Sequence, residues 1–215
     1  MPGVAVACAV LVLSGCGTPG GGYSFNDPPF DEQVRLEDLY AEAETGSSIA
    51  MAHLGWRYDT GRGAPANPIK AAQWYQLAAA EGHSLAQNNL GCLFRDGKGT
   101  IQDYDQAAKW FRQAARQGND HARNNLGWLH EHGLGVPRNF REAAKLYEFA
   151  AKDKRDAITG KSRTGHPFAQ NNLGCLLRDG RGVERNPTQA VRWFRRAAKA
   201  KNHHALHNLG MMYEQ

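Results

Sequence analysis

The chain has 215 residues, of which 41% are hydrophobic and 22% charged, with a formal net charge of +5. The hydrophobic share is slightly low because glycine, asparagine and arginine stand where isoleucine and valine are usual, as in a thin all-helical array. Charge is unevenly placed: residues 1–100 hold six Lys and Arg against ten Asp and Glu, whereas residues 101–215 hold twenty against eleven. The first stretch is thus formally −4 and the second +9, an asymmetry that points to an acidic partner or an anionic surface.

In chain order, residues 4–13 form an apolar run of ten, which excludes a membrane-spanning helix there because a span needs about 20 residues. The run ends in Leu13-Ser14-Gly15-Cys16, which resembles the bacterial lipobox. That resemblance implies a signal peptide over residues 1–15, cleavage before Cys16, and acylation of its thiol and its new amine. Several acyl chains at ~0.8 kcal/mol per buried methylene hold a protein to a membrane where a single chain does not. Gly17 rather than Asp follows the cysteine, which by the rules of that motif implies the outer membrane, with the protein facing the periplasm. Residues 17–33 carry the Gly, Pro and polar residues of a tether, which at ~5–6 Å times the square root of its length reaches roughly 20–25 Å.

Residues 34–45 read as a lone helix with Leu36, Leu39, Tyr40 and Ala43 on one face, placed to cap the segment after it. From residue 46 to 215 one phrase recurs: Leu54-Gly55, Leu90-Gly91, Leu126-Gly127, Leu173-Gly174 and Leu209-Gly210, at steps of 36, 36, 47 and 36 residues. A fixed period of this size marks stacked supersecondary units, none able to bury its apolar face alone. The long step is one period plus an eleven-residue insertion near residues 152–164, so the array holds four full repeats and a partial fifth. About 180 residues are ample for a continuous core.

Each repeat divides into two helices. In the first half Ala50, Leu54 and Tyr58 share one stripe, and Gly61 supplies the positive φ that ends it. Gly97, Gly133 and Gly180 recur at that place, each followed two residues on by another glycine. In the second half Asn67, Asp103, Asn139 and Asn186 stand as N-caps, with Pro68 and Pro187 at first helical positions. Gln106, Glu142 and Gln189, three residues past their caps, are placed for a capping box. Ala71, Trp74, Tyr75, Ala78 and Ala79 form the apolar stripe, and Ala107, Trp110, Phe111, Ala114 and Ala115 repeat it. Small residues allow close helix approach and the aromatics fill the layers between. The fold class is all-α: a right-handed α-solenoid of antiparallel helix pairs.

The string A-x-x-x-L-G-x-x-Y-x-x-G-x-G followed by A-x-x-W-x-x-x-A-A-x-x-G resembles the Sel-one-like repeat, a relative of the tetratricopeptide repeat, over residues 46–215. The resemblance implies a scaffold for protein partners in a bacterial envelope. The chain departs from the pattern at His130 for the aromatic, Leu146 for the Trp, and Lys201 for the glycine before the last helix. None of these alters the expected fold.

Catalytic readings fail. Gly160-Lys161-Ser162 lacks the first glycine and preceding strand of a phosphate loop. His130-Glu131-His132 lacks zincin spacing, and His203 with His207 supplies only two ligands, too few for a metal site. No Ser-x-x-Lys occurs, which counts against a β-lactamase-like or peptidoglycan-acting enzyme. Neither a catalytic residue nor a cofactor or metal site is expected. Cys92 and Cys175, two repeats apart, lie beyond the ~7 Å limit of a disulfide and read as small packed side chains.

For recognition, the positions opposite Leu54 by helical angle form a row through Trp56, Asn88, Asn124, Trp128 and Asn171. In helical-pair solenoids the first helices line the concave side, which makes this row a candidate exposed groove for a protein partner. The alternative is that Trp56 and Trp128 pack between neighbouring first helices. A second candidate surface is basic: Lys109, Arg112, Arg116, Lys152, Lys154, Arg155, Arg192, Arg195 and Lys199. It reads either as a solvated face or as a contact for anionic glycan or lipid. Nucleic acid does not fit an envelope protein. The chain thus reads as a non-catalytic, lipid-anchored interaction scaffold.

Overall fold

The computed structural model describes residues 33–155 and 162–214. Two compact units divide between Arg138 and Asn139. The first holds six helices: α1 (Leu36–Glu44), α2 (Ser48–Thr60), α3 (Pro68–Ala80), α4 (Ser84–Asp96), α5 (Tyr104–Arg116) and α6 (Asp120–His132). The second holds α7 (Phe140–Ala151), the paired residues β1 (Lys154–Arg155) and β2 (Ser162–Arg163), α8 (Pro167–Asp179), α9 (Pro187–Lys199) and α10 (His203–Tyr213). Within each unit, helices adjacent in sequence pack on one another, the all-α, α-solenoid arrangement expected of such repeats.

Local sequence signals set the helix ends. Asn67, Asp103, Asn139 and Asn186 accept the N–H groups of Lys70, Gln106, Glu142 and Gln189 at 2.9–3.0 Å. At Asp103 and Asn186 the expected capping box is replaced by another partner. The backbone N–H groups of Asn67, Asp103 and Asn186 donate to the carbonyls of Tyr58, Phe94 and Leu177 at 2.8 Å, tying each second helix to the end of its first. The first helices have caps of their own at Ser47, His83, Asn119, His166 and Asn202. At His83 and His166 the acceptor is Nδ1, so the ring proton sits on Nε2.

The Leu-Gly signature has a packing cause. A Cβ on Gly55 would stand 2.5 Å from the ring of Tyr75, one on Gly91 2.7 Å from Phe111, and one on Gly174 2.6 Å from Phe194. Those three rings are fully buried, whereas the neighbouring Trp74, Trp110 and Trp193 are half-buried. Glycine thus lets α2, α4 and α8 settle onto the aromatics of α3, α5 and α9. The second glycine of each Gly-x-Gly does more than turn the chain. A Cβ at Gly99 would lie 2.2 Å from the Pro68 carbonyl oxygen, so its loop sits directly on the start of α3. Lys201, where a glycine is expected, keeps the left-handed conformation with φ 60.

In the first unit, Leu39 and Ala43 of α1 bury against Ala50 and Leu54 of α2. Tyr40 meets Trp74 edge-on at 5.5 Å and shares a 2.5 Å hydrogen bond with the Tyr58 hydroxyl. Burial, reinforced by that bond, pushes the Tyr40 hydroxyl up to about 12 from its ordinary 10.0. In the second unit the insertion leaves the repeat at Ala151 and returns through an antiparallel pairing of Lys154 with Arg163 and Arg155 with Ser162. Asp153 accepts the Gly165 N–H at 3.0 Å, closing its base.

Candidate functional site

Two matching networks of buried amides join the first helices, one network in each unit. In the first, Asn125 of α6 donates through Nδ2 to Asn88 Oδ1 of α4 at 3.1 Å and reaches the Cys92 sulfur at 3.6 Å. Asn88 then donates to Asn89 Oδ1 at 3.2 Å. Arg95 meets Asn125 Oδ1 through Nη1 at 3.5 Å, while its Nε and Nη2 hold both carboxylate oxygens of Asp96. In the second unit Asn208 of α10 donates to Asn171 Oδ1 of α8 at 2.8 Å and to the Cys175 sulfur at 3.5 Å. Asn171 donates to Asn172, and Arg178 bridges Asn208 and Asp179.

The row expected to border an exposed groove is therefore mostly interior. Asn88 and Asn124 are 1% exposed, Trp56 3% and Asn171 7%. The physical reason is that a first helix is flanked by the first helix of the next repeat, so the side away from Leu54 also meets protein. Trp56 packs in one apolar cluster with Ala86, Leu90 and Leu93 of α4. A buried amide must be hydrogen-bonded, and the asparagine doublet supplies that bond from one repeat to the next. The signal was available as Asn-Asn-Leu-Gly at residues 88–91, 124–127 and 171–174. Helical angle alone did not reveal that the first Asn accepts from the second Asn of its successor.

Trp128 is half-buried; its ring lies 4.5 Å from that of His132, whose Nδ1 contacts the Trp128 carbonyl at 2.9 Å. The basic residues lie outward. Lys109, Arg112 and Arg116 are exposed on α5 of the first unit; Lys152, Arg192, Arg195 and Lys199 are exposed in the second, with Lys154 half-buried. Several are already engaged: Lys109 lies over the Trp110 ring, Lys152 pairs with Glu148 at 2.8 Å, and Arg195 donates to the Tyr213 hydroxyl. Arg155 enters as a backbone partner of Ser162, and Cys16 lies outside the described residues. His203 and His207 are exposed on α10, and among the described residues no three metal-ligating side chains converge. Among them, too, no helix is long and apolar enough to cross a membrane.

The family model of the Sel1 repeat matches residues 48–83, 84–119, 120–154, 167–202 and 203–215. The chain belongs to the Sel1 repeat family. The break between the third and fourth Sel1 matches coincides with the β1–β2 insertion. Similar solved structures include c5321 of Escherichia coli, a protective antigen of uropathogenic strains with an SLR fold, at 32% identity over 84% of this chain and a TM-score of 0.72. This chain spans 36% of the length of that structure. A Sel1 repeat protein of Oxalobacter formigenes shares 29% identity over 85% of this chain and 71% of its own, with a TM-score of 0.70. A search of curated proteins finds no match. Sel1 repeat proteins are generally scaffolds that bind protein partners, and the family is typically non-catalytic. Each asparagine bond between first helices thus joins one Sel1 repeat to the next.

Proposed function

We propose that this protein is a non-catalytic scaffold for protein partners, held to the bacterial outer membrane by lipid on Cys16 and facing the periplasm. The observation that carries the reading is the run of five Sel1 matches built as stacked helix pairs, an architecture that presents extended surface. The anchor is supported by the Leu13-Ser14-Gly15-Cys16 motif after a short apolar run. In each unit taken by itself, the contact surface lies on the outward face of a second helix, at Lys109, Arg112 and Arg116 in the first unit and at Arg192, Arg195 and Lys199 in the second. Their charge suits an acidic protein partner. Trp56, Asn88 and Asn171 hold neighbouring repeats together, and they and the buried Asn124 take no part in it.

Crosslinking on intact membranes, followed by identification of the captured protein, tests the scaffold. Capture should fall when Lys109, Arg112 and Arg116 are changed together to Glu. Capture of glycan or lipid in place of any protein, with binding that collapses as salt is raised, would replace the protein partner by a polyanion. Cys16→Ala should leave uncleaved precursor in the aqueous phase of a detergent partition. Identical processing and partitioning of mutant and wild type would end the lipoprotein reading.

A further inference from the structure

The two units treat one buried glutamine differently. In the first, Gln87 of α4 donates to the Ala79 carbonyl at 3.1 Å and lies beside two further glutamines of α5 and its end. It donates to Gln113 Oε1 at 3.3 Å, and Gln117 donates to Gln87 Oε1 at 2.8 Å and to the Gly82 carbonyl at 2.9 Å. Three amides therefore close the space between α3, α4 and α5. In the second unit Gln170 takes the place of Gln87 and donates to the carbonyls of Ala151 and Gly165, the counterparts of Ala79 and Gly82. By register from Trp110 and Trp193, however, Gln113 becomes Arg196 and Gln117 becomes Ala200. Arg196 turns away to pair with Asp153, and Ala200 has no amide to offer. A cavity of about 420 Å³ opens there, lined by Gln170, Gly165, Asp153, Arg196, Lys199 and Ala200.

The cavity differs from the first unit in two ways. Gln170 Oε1 and the Gly165 carbonyl receive no N–H from position 200, where Gln117 supplies one to each counterpart in the first unit. Lys199 has no carboxylate partner among the described residues, so the lining carries one net positive charge. Both features suit a ligand with an amide N–H close to an anionic group. We propose that this cavity binds the carboxyl-terminal end of a peptide: its last N–H bonds to Gln170 and Gly165, and its carboxylate lies against Lys199. The volume falls within the roughly 300–1,000 Å³ of small-ligand sites, enough for a chain end and too small for a folded surface. Charge-assisted bonds to a terminal carboxylate are among the stronger polar contacts. The assignment rests on the scaffold reading only in taking the ligand from a partner protein.

The test is a titration of the purified full chain with three probes: a pool of N-acetylated tripeptides with free carboxyl ends, the same pool amidated, and inorganic phosphate. The free-acid pool should shift the nuclear resonances of the Gln170 side-chain amide and the Ala200 backbone. The amidated pool should bind about tenfold more weakly or worse, as expected for loss of a charge-assisted bond, and phosphate should leave the Gln170 side chain unmoved. Ala200→Gln should refill the slot as Gln117 does, since both positions have the same C-cap backbone (φ −87, ψ 19 against φ −80, ψ 1). That variant should lose peptide binding and keep the wild-type melting temperature. Lys199→Ala should weaken the acid pool about tenfold on the same grounds. Equal binding of acid and amidated pools, phosphate reproducing the peptide shifts, or undiminished binding by Ala200→Gln overturns the assignment. The crosslinking result is read separately: absence of any captured protein overturns the scaffold, whatever the peptides do.

Discussion

Removing the Asn125 side chain isolates what the amide network contributes. Asn125→Ala deletes the 3.1 Å bond to Asn88 Oδ1 and the long contacts to Cys92 and Arg95. Arg95 loses little, because Asp96 still holds it at 2.7 and 2.9 Å. The main loss is at Asn88, which is 1% exposed and keeps a buried oxygen without its donor. A neutral buried hydrogen bond contributes about 1 kcal/mol net, but removing one partner so that the other is left buried and unsatisfied costs about 1–3 kcal/mol instead. Asn125→Ala should therefore destabilise by roughly 1–3 kcal/mol, measured by urea unfolding followed by far-ultraviolet circular dichroism. Asn88→Ala made together with Asn125→Ala removes donor and acceptor at once and should cost less than the two single changes added, by about 1–3 kcal/mol of coupling. A single-mutant cost within about 0.5 kcal/mol of zero, the range of surface substitutions, would refute the interior network and return these asparagines to the solvent face.

Gly99 and Gly82 both have positive φ, +71 and +84, but a Cβ meets backbone 2.2 Å away at Gly99 and nothing within 4 Å at Gly82. Gly82→Ala should cost only the left-handed penalty of about 1–2 kcal/mol; Gly99→Ala should cost clearly more in the same unfolding assay, and equal costs would dismiss the loop-on-helix contact. Trp56→Ala should cost about 3–5 kcal/mol as a buried aromatic, with Trp128→Ala markedly cheaper by thermal melting because its ring is half-exposed. For Tyr40, the raised value means that the folded state holds its proton more tightly than the unfolded one. The associated stability is fully present below pH 10.0 and is lost as pH rises through about 12. Tyr58→Phe should move the Tyr40 titration, followed by tyrosinate absorbance, down toward 10.0; an unmoved titration would leave burial as its sole cause.

The local chemistry of this chain was legible residue by residue. Asn67, Asp103 and Asn186 cap their helices and Gly61, Gly97 and Gly180 end theirs, because caps and left-handed turns are satisfied within a few residues of chain. The period, the aromatic stripe and the Leu-Gly pair declared stacked helix pairs for a similar reason: every repeat meets the same neighbours. What each far side touches was decided only in three dimensions. Helical angle places Asn88 opposite the Leu90 stripe but does not say that another first helix covers it, so of the candidate groove row Trp56, Asn88, Asn124 and Asn171 proved interior and only Trp128 stayed half-exposed. The capping boxes at Asp103 and Asn186 failed likewise, since the carbonyls of Phe94 and Leu177 take the same N–H groups across a turn that periodicity does not describe. The cavity beside Gln170 depends on two substitutions about 80 positions beyond Gln113 and Gln117, which matter only because tertiary packing brings helices α7, α8 and α9 around one amide.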